Sequence, residues 1–167
     1  ATAEALAVVK SSENADAILG AALYLRSRPD TRARNESADL VRARFEASKG
    51  TSGVRSALAE ALGVVGSAKD VGGLAEVAAG GSELALSAAK GLCRNRSGGG
   101  LDRLVLEAVR LQAGNAEGDS EALETLCMAV RAVAADRSAT SAEFVRAIGA
   151  SNAPSGVLTA LASAGTP

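Results

Sequence analysis

Apolar residues recur along this chain at steps of three and four, and strict alternation is almost absent. Ala15, Ile18, Leu19, Ala22 and Leu25 form one such stripe; Val54, Leu58, Ala61, Leu62 and Val65 form a second. Leu84, Ala85, Ala88, Ala89 and Leu92 form a third, and Leu123, Leu126, Cys127, Val130 and Val133 a fourth. Each covers one face of a 3.6-residue turn, the mark of an amphipathic helix. Shorter helices are predicted over 39–47, 71–79 and 101–111, around Phe144–Ile148, and over Val157–Leu161. Thr140 and Glu143 have the spacing of a capping box. Pro29 ends the first long helix. Gly50, Gly53, Gly80, Gly81 and the run Gly98–Gly100 mark the other joints.

The four longer stripes share a polar ending. "AALYLRS", "EALGVVGS", "KGLCRNRS" and "AVRAVAADRS" close on Ser27, Ser67, Ser97 and Ser138, at spacings of 40, 30 and 41 residues. Ala22, Leu62, Leu92 and Val133, all apolar, stand five positions before each serine. Shorter apolar helices fall between, so short and long elements alternate. A helix pair this poor in large side chains cannot bury enough area alone, whereas stacked pairs share one continuous core. An up-and-down bundle repeats long helices of similar length instead. The 30-residue step departs from a regular stack.

This pattern resembles the armadillo repeat, and more loosely the HEAT repeat. "GGLAEVAAGGSELALSAAKGLCRNRS" is similar to the second and third helices of an armadillo unit. Asn95 falls where that family often has an asparagine. "EALETLCMAVRAVAADRS" resembles a third helix, "SAEFVRAIGA" a first and "SGVLTALASAG" a second. The resemblance covers residues 52–165 best and the first fifty poorly. It implies an all-α, right-handed α-solenoid, a single repeat domain over 1–167 belonging to a longer chain; an irregular helical bundle is the alternative. In such families the third helices line a groove that holds peptides or partner helices. Carried over by position, the partner-binding candidates are Arg55, Lys90, Arg94, Asn95, Arg131 and Arg137, facing an acidic segment of another protein. The chain has no tryptophan, so the tryptophan–asparagine ladders of nuclear-import adaptors are missing and basic localisation signals are not an expected ligand.

Composition narrows the chemistry. Hydrophobic residues make up 47% and aromatics 2%, so the core is aliphatic and alanine-rich. There is no histidine, which removes the commonest acid–base group and every serine–histidine triad. Gly98–Gly100 lead into Leu101 and Asp102 without a Gly-Lys-Ser/Thr triplet, so they read as a joint rather than a phosphate loop. Cys93 and Cys127 sit in different apolar stripes and read as buried thiols. No catalytic residue, cofactor, metal or small-molecule substrate is expected.

Net charge is −1, but it is unevenly spread. Residues 26–55 hold eight cations against four anions, and residues 98–167 five against eight. "LRSRPDTRAR" is read as a solvated basic loop, since no aromatics interleave to stack on RNA bases. No apolar run reaches the roughly 18 residues of a membrane span, and the opening at Ala1 reads as a processed or truncated end. The expected function is a non-enzymatic, intracellular, cytoplasmic scaffold or adaptor. The alternative is a structural accessory subunit of a large multiprotein complex.

Overall fold

The computed structural model describes residues 1–49, 52–95, 99–114 and 119–135, and within them it contains eight helices and no strand. They are α1 (Thr2–Ser11), α2 (Ala15–Ser27), α3 (Thr31–Ala47), α4 (Gly53–Val65), α5 (Ala68–Ala79), α6 (Ala85–Cys93), α7 (Gly99–Ala113) and α8 (Asp119–Ala135). The capping-box residues Thr140 and Glu143, and the helices expected around Phe144 and Val157, lie outside the described residues.

Local chemistry fixes several of the helix starts. Asn14 accepts from the Ala17 N–H at 2.9 Å to open α2. Asp30 accepts from Arg32 and Ala33 to open α3, and Ser52 accepts from Arg55 to open α4. Arg28 is extended ahead of Pro29, which stops α2. α3 therefore begins at Thr31, eight residues before the expected 39, and much of the basic "loop" is helix. The N-cap at Asp30 outweighs the low apolar content of its first two turns. α1, which the stripe pattern did not single out, buries Ala5 and Val9, one turn apart.

Consecutive helices pair as α1/α2, α3/α4, α5/α6 and α7/α8. Pairs are joined through every second helix: α2 packs on α4, α4 on α6, and α6 on α8, while α1 packs on α3 and α5 on α7. One apolar cluster runs from Ala5 to Ala129 through all eight helices. The largest fully buried side chains are aliphatic, among them Ile18, Leu25, Leu58, Leu92, Leu104 and Leu126. α4 carries the longest unbroken buried stretch, with every residue from Ala57 to Val64 buried. The expected order of lengths is reversed in the middle pairs: α3 has 17 residues against 13 in α4, and α5 has 12 against 9 in α6.

Small residues bring α4 and α6 unusually close. A Cβ built on Gly63 would stand 2.4 Å from the Gly91 carbonyl carbon, and one on Gly91 would stand 2.2 Å from the Glu60 carbonyl oxygen. Gly100, expected in a joint, lies in the first turn of α7 with its Cα turned onto the Leu92 carbonyl. Gly20 is different: it is exposed in mid-α2 with nothing near its absent Cβ. Gly20→Ala is therefore expected to stabilise the chain by about 0.5–1 kcal/mol, measured as a higher urea midpoint.

Candidate functional site

The outer layer formed by α1, α3, α5 and α7 is discontinuous. α3 and α5 do not pack closely, and a pocket of ≈ 390 Å³ opens between them. Arg42, Phe45 and Glu46 of α3 form one wall, and Lys69, Asp70, Gly73, Leu74 and Val77 of α5 the other, with Leu62 of α4 at the floor. Leu62 and Leu74 are buried, Phe45 and Val77 half-buried, and Lys69, Glu46 and Gly73 exposed. The result is an apolar floor under a rim that carries both signs of charge.

Arg42 and Asp70 span the gap. The Arg42 Nε donates to Asp70 Oδ1 at 2.6 Å and its Nη2 to Oδ2 at 3.0 Å, a bidentate pair of the strong, directional kind. Nη1 donates to Asp39 at 2.6 Å on the same helix. The Asp70 carboxylate also accepts from the Ser67 N–H at 2.8 Å and the Ser67 hydroxyl at 3.1 Å, completing the capping box that opens α5. Burial works to raise the Asp70 carboxyl, but the Arg42 bond, the Ser67 bonds and the Arg42 charge outweigh it and hold the group below its ordinary 3.8. Arg42 is pushed above its ordinary range, chiefly by the bond to Asp70.

A depressed folded-state carboxyl adds stability that is complete above its unfolded value and fades as pH falls through the folded one. The Asp70 contribution should therefore be whole at neutral pH and vanish below the ordinary 3.8. Thermal midpoints of wild type and Asp70→Asn, measured from pH 7 downwards, should converge as acid removes the charge that the variant already lacks. A constant gap down to the most acidic pH would contradict this.

The six positions predicted from sequence are scattered. Arg55 is half-buried, with its guanidinium 5.3 Å from the centroid of Phe45, the aromatic wall of the pocket. Lys90 is half-buried in the last turn of α6. Arg94 and Asn95, carried into the groove set by position, are buried, at 7% and 1% exposed. Arg94 pairs with buried Glu60 of α4, and the Asn95 amide donates to the Gly63 and Gly66 carbonyls at 2.7 and 3.2 Å. Both serve the α4–α6 contact, because the closely approaching helices bring polar groups that need internal partners. Arg131 falls within α8 with its side chain outside the described set, and Arg137 lies outside the described residues altogether.

The sequence reading missed Arg42, Phe45, Lys69, Asp70 and Gly73. Ser67-x-x-Asp70 carried a visible capping signal, and Gly72-Gly73 inside a helical stripe carried another. Among the described residues no three of His, Cys, Asp and Glu gather into a metal-holding group, and no helix is long and apolar enough to cross a membrane. Neither a protein-family model, nor a curated protein, nor a solved structure matches the chain.

Proposed function

We propose that the chain is a non-enzymatic scaffold or adaptor, an α-solenoid of armadillo-like or HEAT-like pairs that docks a partner protein. The observation that carries this reading is the α3–α5 pocket, an apolar floor of Phe45, Leu62, Leu74 and Val77 rimmed by Lys69, Glu46 and the Arg42–Asp70 pair. A floor of that kind takes an apolar side chain out of water, and a rim of both signs fixes its register. Two further features support the solenoid. Every second helix packs on the next along α2, α4, α6 and α8, as α1 does on α3 and α5 on α7, and one core runs through all the described pairs.

The test is affinity capture from native lysate with the wild-type chain and a Gly73→Arg variant. Gly73 is exposed with open space at its absent Cβ, so arginine fills the pocket mouth without disturbing the fold. A partner retained by wild type and lost by the equally helical, equally stable variant is the expected result. The same partner held by both would remove the pocket from the docking surface.

A second reading, an accessory subunit built into a larger complex, is favoured by one observation. Leu106 of α7 and Met128 of α8 are 53% and 45% exposed, large apolar groups carried on the last described pair. Substituting both by lysine would then abolish co-purification with the complex while Gly73→Arg would not.

A further inference from the structure

The described helices fall into two groups. Each of α5–α8 packs on every other, and α1–α4 do the same except that α1 stands away from α4. Close packing across the boundary runs through α4 alone, heavily on α6 and lightly on α5. The chain crosses once, at Gly66 and Ser67 between α4 and α5. On the inner side the joint is a backbone crossing, where Gly63 meets Gly91. Interdigitated ridges of side chains fix a helix crossing angle; where two glycines meet, that local lock is missing. The Glu60–Arg94 pair and the Asn95 bond to the Gly63 carbonyl hold the same crossing together.

The outer side of the boundary is held differently. α3 and α5 stand on either side of the pocket, and among the described residues the ties between them are ionic. Arg42 donates to both Asp70 oxygens, at 2.6 and 3.0 Å. Lys69 and Asp39, both exposed, stand 4.0 Å apart and add little. Arg42 is thus the principal tie, anchored to Asp39 on its own helix and to Asp70 on the other.

We infer that α1–α4 and α5–α8 are the two halves of a hinge, with the Gly63–Gly91 crossing as its pivot and the Arg42–Asp70 pair as the latch that keeps the α3–α5 pocket narrow. The inference rests on the reading of that pocket as the docking site and adds how its width is set. A pivot on the inner side and a tie on the outer side confine the motion to one sense. When Arg42 releases Asp70, α3 and α5 part while α4 and α6 stay in contact. Domain hinges turn at a few element-terminal residues between bodies that keep their own packing. Here those residues are Gly66, the C-cap of α4, and Ser67, the N-cap of α5. The pocket therefore has two widths, latched and released.

Double electron–electron resonance on the full chain tests this. Nitroxides are placed at Ala7→Cys on α1 and Ala113→Cys on α7, exposed outer-layer positions in opposite halves. A second pair, Ala7→Cys and Ala43→Cys on α3, lies within one half. Cys93 and Cys127 are buried and stay in place. Arg42→Met removes the latch but keeps the Ser67 bonds to Asp70, so α5 keeps its cap. The expected result is a longer and broader Ala7–Ala113 distance in Arg42→Met, with the Ala7–Ala43 distance and the helicity as in wild type. Lys69→Met should change neither distance. Asp70→Asn breaks the same tie from α5 and should lengthen the same distance, which keeps the test open if Arg42→Met folds poorly. An unchanged cross-half distance in both latch variants would overturn the inference. So would equal lengthening of both label pairs, the sign of general loosening. A hinge that opens while the cellular partner ignores Gly73→Arg keeps the device and removes the docking site. A partner lost on Gly73→Arg from a chain whose cross-half distance never changes does the reverse.

Discussion

Arg94→Ala is expected to cost about 3–5 kcal/mol of folding stability, the largest loss among single substitutions of the described charged residues. The reason lies on the opposite helix. Glu60 sits in the fully enclosed stretch of α4 and is buried with Arg94, its ion-pair partner. Truncating Arg94 removes this counter-charge from a carboxylate whose side chain is only 12% exposed. A domain of this size has roughly 5–15 kcal/mol in total, so the variant should unfold at markedly lower urea. Urea melts followed by circular dichroism test this. The companion measurement is Glu60→Leu combined with Arg94→Met, which should recover most of the loss, since two well-packed apolar groups need no counter-charge. A single-variant loss under about 1 kcal/mol, the range of an exposed pair, would mean that water reaches the pair.

The second large effect is expected from Gly91→Ala, at about 3 kcal/mol destabilising. Two terms oppose each other. Alanine is the better helix former by about 1 kcal/mol, and at exposed Gly20 that gain stands alone. At Gly91 the added methyl would lie 2.2 Å from the Glu60 carbonyl oxygen and 2.9 Å from the Glu60 Cα, both backbone atoms that cannot rotate away. α4 and α6 must separate, and the Glu60–Arg94 pair and the Asn95 bonds to Gly63 and Gly66 are stretched with them. Overpacking wins by this accounting. Opposite signs for Gly91→Ala and Gly20→Ala in the same urea series are the expected outcome; a higher midpoint for Gly91→Ala would refute the close approach.

The same crossing marks the boundary of what could be read from sequence. Stripes such as Ile18–Ala22–Leu25 located α2, α4, α6 and α8 within a few residues, because burial against neighbours on one face is what periodicity records. α3 was truncated because its opening turns carry Arg32, Arg34, Asn35 and Glu36, and only the Asp30 cap marks the start. The site was less legible for a different reason. Arg94 and Asn95 look like surface residues at a helix end, and nothing local reveals that Gly63 and Gly91 pull another helix over them. Arg42 and Asp70 are 28 positions apart, and their meeting depends on how far α3 stands from α5. Sequence spacing reports faces within a helix; distances between helices come from the side chains at their contact.

Asp70 holds two structures at once. Its carboxylate closes the first turn of α5 through Ser67 and grips α3 through Arg42. Widening the opening between those helices would have to pull on the group that keeps α5 wound. Splaying one joint and unravelling one helix end thus become a single event, and the molecule is stiff at the place where its outer layer is thinnest. A load applied across this gap would fall chiefly on that carboxylate, the exposed Lys69–Asp39 pair at 4.0 Å adding little, and its protonation in acid would soften the joint without removing an atom.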